Sequence, residues 1–347
     1  KILVINIRKT IIYFFMKKIV LFGGEGYIGK VISQYFEKLN FEIISFDNLI
    51  YYEDKNKYIS KLKNKNFIYG DINDTKLVKK IMKSAHFAVA LAGLVGDPIT
   101  KRYPKESELI NTYGTKNLID TCLDSNLEKF IFVSTCSNYG ISKKKESLDE
   151  KSPLKPLSLY AKAKVDAEKY IISKKNNTSV ICTILRFATA FGVSPRMRFD
   201  LTINEFVKTL FLNKTLDVYD ADTWRPYCHV KDFAKFIEII LNSDPEKINF
   251  EIFNAGSSEN NFTKRMLVNE ISKIIPNRKI NFLNKTSNDM RDYNVDFSKA
   301  FNTLKFKNNW NIEQGIKEII NELKNKKYFF NDRSLGNYEI FYKQGLV

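Results

Sequence analysis

The sequence predicts an α/β protein built on a doubly wound parallel sheet, with a smaller C-terminal lobe. Three observations predict it. Short apolar runs recur at residues 19–22, 41–46, 67–69, 86–91, 130–133 and 180–185, largely without the polar alternation of a half-exposed strand, as strands buried on both faces require. Helical spacing separates them: Val31, Ile32, Tyr35, Phe36 and Leu39 follow the first run, and residues 109–122 repeat apolar positions after the fourth. The first run ends in the glycine-rich turn GGEGYIG, residues 23–29. At 347 residues the chain can bury one large α/β domain and a smaller lobe.

Taken in order, residues 1–15, KILVINIRKTIIYFF, precede the first strand. They are too short to span a bilayer and are broken by Arg8 and Lys9, so an extension outside the fold is expected, with a membrane-surface anchor as the alternative. In the turn that follows, Gly23, Gly26 and Gly29 fall three apart. A strand that turns sharply into a helix aims free backbone N–H groups and the positive end of a helix dipole at one point, where a pyrophosphate can sit. A Cβ there would hold the anion away. The second strand ends in Asp47, about 20 residues past the glycines, where a carboxylate would bond adenosine ribose hydroxyls and repel a 2′-phosphate. This pattern predicts a Rossmann-type site for NAD rather than NADP.

The third strand closes at Gly70-Asp71-Ile72, which either flanks the adenine or simply turns the chain. The fourth leads into Ala92-Gly93, small residues that let the backbone pass beneath a cofactor. The fifth ends in Ser134-Thr135-Cys136-Ser137. Residues 158–172 read as a helix carrying Tyr160 and Lys164, which share one face because they lie four apart. After the sixth strand and Gly192 come the basic loop Ser194-Pro195-Arg196-Met197-Arg198, a helix at 201–212, a strand at 216–219 and the segment Trp224-Arg225-Pro226. Helix 231–241 and a strand near 250–253 are expected to return to the sheet. The division is therefore 1–15 as extension, 16–187 with 230–255 as the NAD-binding domain, and 188–229 with 256–347 as substrate lobe and tail. The aromatic tail, 328–347, suggests no function by itself.

The formal charge of +17 suits an anionic partner, but the lysines are scattered among Asn and Ile, so a nucleotide is expected and no nucleic acid. The four cysteines show no metal-type spacing and read as reduced thiols of a cytosolic protein, with no metal.

Tyr160 and Lys164 suit proton transfer. A phenol with pKa ≈ 10 is a poor base at neutral pH, but a neighbouring ammonium and an oxidised nicotinamide would favour its phenolate. Thr135, at a strand's carboxyl end, would hydrogen-bond the same substrate hydroxyl.

Together GGEGYIG, Asp47-Asn48, GDI, NTYGT, STCSNYG, YAKAK, LRFATAFG and WRPYCHVKDFA resemble, over residues 17–325, the extended short-chain dehydrogenase/reductases, in particular the NAD-dependent nucleotide-sugar epimerase/dehydratase group. The resemblance implies that Tyr160 removes a sugar hydroxyl proton while hydride leaves the same carbon, and that Thr135 and Lys164 complete the catalytic set. It implies cofactor contacts at Gly23, Gly26, Tyr27, Ile28, Asp47 and Asn48, then at Asp71, Ile72, Leu91, Ala92 and Gly93, and finally at Ser134, Tyr160, Lys164 and Phe187. Thr135, Thr189, Arg198, Asn204, Arg225 and Arg291 would meet a UDP-, dTDP- or GDP-linked sugar, with Arg225 and Arg291 clamping its diphosphate. A homodimer packing helices near 107–124 and 158–174 is also implied.

Cys136 and Ser137 stand where the 4,6-dehydratases carry an Asp-Glu pair, so dehydration is not expected. Thr189 replaces the Asn of galactose epimerases, and His229 is expected to be structural. SPRMRFDLTIN and DMRDYNVDFSKA resemble a branch with GDP-heptose 4-dehydrogenases and epimerases of surface-polysaccharide pathways. The expected activity is oxidation at C4, by an epimerase or a dehydrogenase; the competing reading is a non-catalytic NAD sensor or interaction protein on the same fold.

Overall fold

The computed structural model describes residues 2–7, 10–62, 66–142, 146–283, 291–326, 328–330 and 332–342, with side chains from Met16 onward. Seven parallel strands form the central sheet: β1 (Lys18–Phe22), β2 (Glu42–Asp47), β3 (Phe67–Tyr69), β4 (Phe87–Ala90), β5 (Lys129–Thr135), β6 (Ile181–Phe187) and β7 (Glu251–Ala255). Their order is β7-β6-β5-β4-β1-β2-β3. The chain therefore builds outward from β1 to β3 and then crosses back to β4, which leaves a crevice beyond the carboxyl ends of β1 and β4.

Both faces of the sheet are covered, which explains the unbroken apolar runs. In β1, Ile19 and Leu21 join a core with Phe36 and Phe236 on one side, while Val20 and Phe22 join another with Val78, Ile119 and Ile171. Each such side chain, once fully buried, contributes about 1.5–3 kcal/mol. A separate core gathers Val207 and Leu210 from the helix Thr202–Phe211, Leu267 and Ile271 from Lys264–Ile274, and Ile316 and Ile319 from Ile312–Asn325.

Several elements differ from their expected form. The strands β5 and β6 run past the apolar stretch into Ser134-Thr135 and Arg186-Phe187, because these residues pair with each other in the ladder. Residues 109–122 are not one regular helix: Glu108–Gly114 is a π-helical turn and Thr115–Leu123 is α-helical. The wider turn carries Asn111, whose side chain accepts from the Leu94 N–H at 2.8 Å and donates to the Leu94 carbonyl at 3.0 Å, pinning the loop after β4. Trp224–His229, expected only as a motif, is a strand between Thr189–Phe191 and Asn261–Thr263. Residues Ile2–Ile7 and Thr10–Phe15 pair antiparallel as a separate two-stranded ribbon.

Candidate active site

One cavity of about 650 Å³ opens along the carboxyl edge of the sheet. Its floor is the turn between β1 and the helix α1 (Tyr27–Lys38). Gly23 sits at φ +86°, and a Cβ there would come within 2.8 Å of the Ala92 nitrogen, so only glycine lets the turn close against the loop after β4. The N-cap of α1 is Gly26, which supplies no side-chain cap, and Gly23, Gly26, Tyr27 and Ile28 all line the cavity. This cradle fits a pyrophosphate.

Beside it, Asp47 Oδ2 accepts from the Glu25 N–H at 3.0 Å and Oδ1 from the Leu49 N–H at 2.8 Å. Burial raises its carboxyl to about 6, against the pull of those two N–H groups. Asn48, Ile72, Leu91, Ala92, Gly93 and Phe187 also line the cavity. Asp71 does not: its oxygens accept from Asn48 Nδ2 at 3.0 Å and Asn73 Nδ2 at 2.8 Å, and it holds the turn rather than facing the cavity.

At the far end stand the expected chemical groups. Helix α2 (Leu159–Ser173) begins with Ser158 accepting from the Ala161 N–H at 3.2 Å, and this cap fixes the first turn that carries Tyr160. Lys164 lies beneath it, 6 % exposed, with Nζ donating to the Val133 carbonyl at 2.7 Å and 6.0 Å from the Tyr160 ring centre. Burial lowers the Lys164 ammonium to about 8, with Glu168 opposing. Burial also raises the Tyr160 phenol above its ordinary value; Asp97 adds to this, and the cations that pull it back most are Arg198 and Arg291. The expected help from Lys164 is thus not the leading effect, because its own ammonium is desolvated and engaged by a carbonyl.

Thr135 Oγ1 accepts from the Ser137 N–H at 3.1 Å and faces the same space. Ser134 also lines it, yet its hydroxyl donates to Glu168 and accepts from Asn138 Nδ2 at 3.1 Å, which leaves it as a brace.

The lobe side is more mixed. Thr189, Arg198 and Arg291 line the cavity. Arg198 is paired with Asp200 at 2.6 Å, and Arg291 bridges Ser137 Oγ at 2.8 Å and Asp97 at 3.3 Å. Asn204 and Arg225 do not line it. Asn204 is fully buried, accepting from the Gly192 N–H at 3.1 Å and donating to the Arg198 carbonyl at 3.0 Å. Arg225 is 5 % exposed, lies over the Tyr293 ring and donates to the Trp224 carbonyl at 2.7 Å. His229 Nε2 is 2.8 Å from Glu318 and the ring stacks on Trp310, away from the cavity. Cys136 is buried too, and burial pushes its thiol up, so it offers neither acid nor nucleophile.

Sequence reasoning missed Asp97, Arg196, Asp200 and Asn337, all in the cavity wall. The basic loop was the one available signal for Arg196. Asn337 carried none, because it reaches the site only through the path of the tail.

A glycine cradle at the end of the first strand, facing a Tyr-x-x-x-Lys helix across the carboxyl edge of a parallel sheet, defines an extended short-chain dehydrogenase/reductase. The chain belongs to the NAD-dependent epimerase/dehydratase family, whose model matches residues 19–256. It is 29% identical over 252 residues to human dTDP-D-glucose 4,6-dehydratase, covering 70% of this chain and 70% of the human enzyme. It is 26% identical over 309 residues to the UDP-glucuronate 4-epimerase of Thermodesulfobacterium geofontis, covering 86% of this chain and 94% of that one. In fold it is similar to the UDP-glucose 4-epimerase of Thermotoga maritima solved with UDP-glucose, with a TM-score of 0.78 at 22% identity, over 89% of this chain and 99% of that one. Among the described residues no helix is long and apolar enough to cross a membrane.

Proposed function

We propose that the protein oxidises a nucleotide-linked sugar at C4, with Tyr160, Thr135 and Lys164 as the catalytic set. The observation that carries this reading is that the three residues share one cavity with the glycine cradle and with Arg198 and Arg291. NAD, when bound, supplies the hydride acceptor. Gly23, Gly26 and the first N–H groups of α1 would hold its pyrophosphate, and Asp47 its adenosine ribose.

Tyr160 takes the proton of the sugar hydroxyl, and Thr135 positions the same oxygen. Lys164, fixed by the Val133 carbonyl, holds its charge beneath the phenol. Burial keeps the Tyr160 phenol neutral, and positive charge arriving beside it would favour release of its own proton to solvent, leaving the phenolate that takes the sugar hydroxyl proton, which couples proton removal to a loaded site. Arg198 and Arg291 would draw the diphosphate and sugar toward this end.

Elimination of water is disfavoured, because Cys136 and Ser137 follow Thr135 and neither is an acid: the Cys136 Sγ lies 3.2 Å from the Arg186 carbonyl, and Ser137 accepts from Arg291. The similarity to the UDP-glucuronate 4-epimerase of Thermodesulfobacterium geofontis supports C4 as the oxidised carbon. The proposed assembly is a homodimer through the helices at 107–124 and 158–174, on which Tyr113, Leu159 and Ile172 are exposed.

Incubating the protein and NAD with UDP-, dTDP- and GDP-sugars, while following reduced-nicotinamide absorbance and product stereochemistry, tests the reading. An epimerase gives an inverted sugar without accumulating NADH, and a dehydrogenase accumulates both NADH and a 4-keto sugar. No turnover of any nucleotide sugar would contradict both.

A further inference from the structure

The aromatic tail crosses the cavity. Its path is tied to the lobe where the Phe199 N–H donates to the Leu335 carbonyl at 2.8 Å, and to the sheet side where the Phe341 N–H donates to the Ile50 carbonyl at 2.7 Å. Between these ties Asn337, 8 % exposed, donates from Nδ2 to the Val95 carbonyl at 3.2 Å, and its Oδ1 accepts from Arg196 Nη2 at 3.0 Å. The Gly336 carbonyl accepts from the same nitrogen at 3.3 Å.

Arg196 is only 6 % exposed and lines the cavity, with its guanidinium 4.9 Å from the Tyr51 ring centre. Its Nε has no hydrogen-bond partner among the described residues. A buried guanidinium with an unfilled donor is costly unless something charged arrives to fill it.

Position identifies the ligand. The loop that carries Arg196 is anchored on the glycine turn, where Ser194 Oγ donates to the Tyr27 carbonyl at 2.7 Å. Charge points the same way. The floor of the site carries the carboxylates of Glu25 and Asp47, but a pyrophosphate brings about two more negative charges. Lys30 is already paired with Glu25 at 2.7 Å, and Arg198 and Arg291 stand at the far end, where the proposed reaction assigns them to the substrate diphosphate. We propose that Arg196, held in place by Asn337 of the tail, is the counter-cation of the NAD pyrophosphate, which makes the C-terminal segment part of the cofactor site. This rests on the NAD cradle of the proposed function but not on the sugar or the reaction.

The test is binding to the full-length protein, by calorimetry, of adenosine, ADP and NAD. Arg196→Gln is expected to weaken ADP and NAD by about 10–100-fold, the range for a lost charge-assisted hydrogen bond, with adenosine unchanged. Arg196→Lys should fall between Arg196→Gln and wild type. Asn337→Ala should lose several-fold in the same ligand pattern, because the cation is then unpositioned rather than absent. Arg196→Gln binding ADP as wild type does, or losing adenosine equally, overturns the assignment. If Arg196→Gln does not fold, the Arg196→Lys and Asn337→Ala patterns decide it, and unchanged ADP binding in both overturns it. Failure of sugar turnover in a protein whose ADP pattern is as expected would contradict the proposed reaction and leave this site standing.

Discussion

Tyr160 has charged neighbours of opposite effect, Asp97 raising its phenol and Arg198 and Arg291 lowering it, over a burial that dominates them all. Removing the hydroxyl leaves packing intact but deletes the base. Tyr160→Phe is therefore expected to lower turnover by about 10²–10⁴-fold while NAD binding, measured by calorimetry, stays near wild type. Asp47 makes a second residue-scale prediction. Its carboxyl is raised to about 6 by burial, and the ionised form, with both oxygens as strong acceptors, holds the ribose hydroxyls better than the protonated one, so NAD affinity should fall as pH drops below about 6, by up to about tenfold per unit. The sign for stability is opposite: the folded state holds the proton more tightly than the unfolded chain, so this group favours folding at low pH and loses that contribution as pH rises from about 4 to about 6. Titrating NAD binding against pH, with Asp47→Asn as the variant that should flatten the profile, checks it. These two residues were legible in the sequence because spacing and strand ends mark them. Arg196 was not, since its burial depends on Asn337, 141 positions away.

At the scale of elements, α2 is bolted to the sheet from below. Glu168, one turn beyond Lys164, is 3 % exposed and meets Arg186 of β6 at 2.8 Å, Asn138 at 2.8 Å and Ser134 of β5. Arg186 also donates to Tyr139 at 3.0 Å. Deleting one member would strand a buried charge, so Glu168→Ala is expected to destabilise the protein by about 3–5 kcal/mol in denaturant unfolding. A loss under 1 kcal/mol would show that the network is not what sets the position of α2. The sheet strands were legible because burial on both faces leaves them apolar throughout. Trp224–His229 was not, since Arg225 and Pro226 interrupt any apolar run and the strand is set by partners on both sides. The π-turn at Glu108–Gly114 was hidden for a related reason: its extra residue serves the contact from Asn111 to Leu94, which no local periodicity records.

For the whole molecule, the cavity lies between the sheet and the lobe, and its walls come from residues as distant as Gly23 and Tyr338. The parallel sheet and its glycine turn could be read from pattern alone, whereas closure of the site depends on tertiary ties such as Arg102 to the Tyr338 carbonyl at 3.0 Å. Assembly belongs to this scale as well. Sedimentation at micromolar concentration is expected to give twice the chain's mass, and Tyr113→Lys with Leu159→Lys to give the single chain; a wild-type monomer would contradict the proposed dimer.

The measurement closest to the central claim is hydride transfer in a single turnover. Protein loaded with NAD and mixed with the nucleotide sugar it turns over should form reduced nicotinamide within the reaction, at least transiently, and Tyr160→Phe loaded to the same extent should form it about 10²–10⁴-fold more slowly. Equal rates for the two proteins would contradict the assignment of Tyr160 as the base, and with it the account of this site.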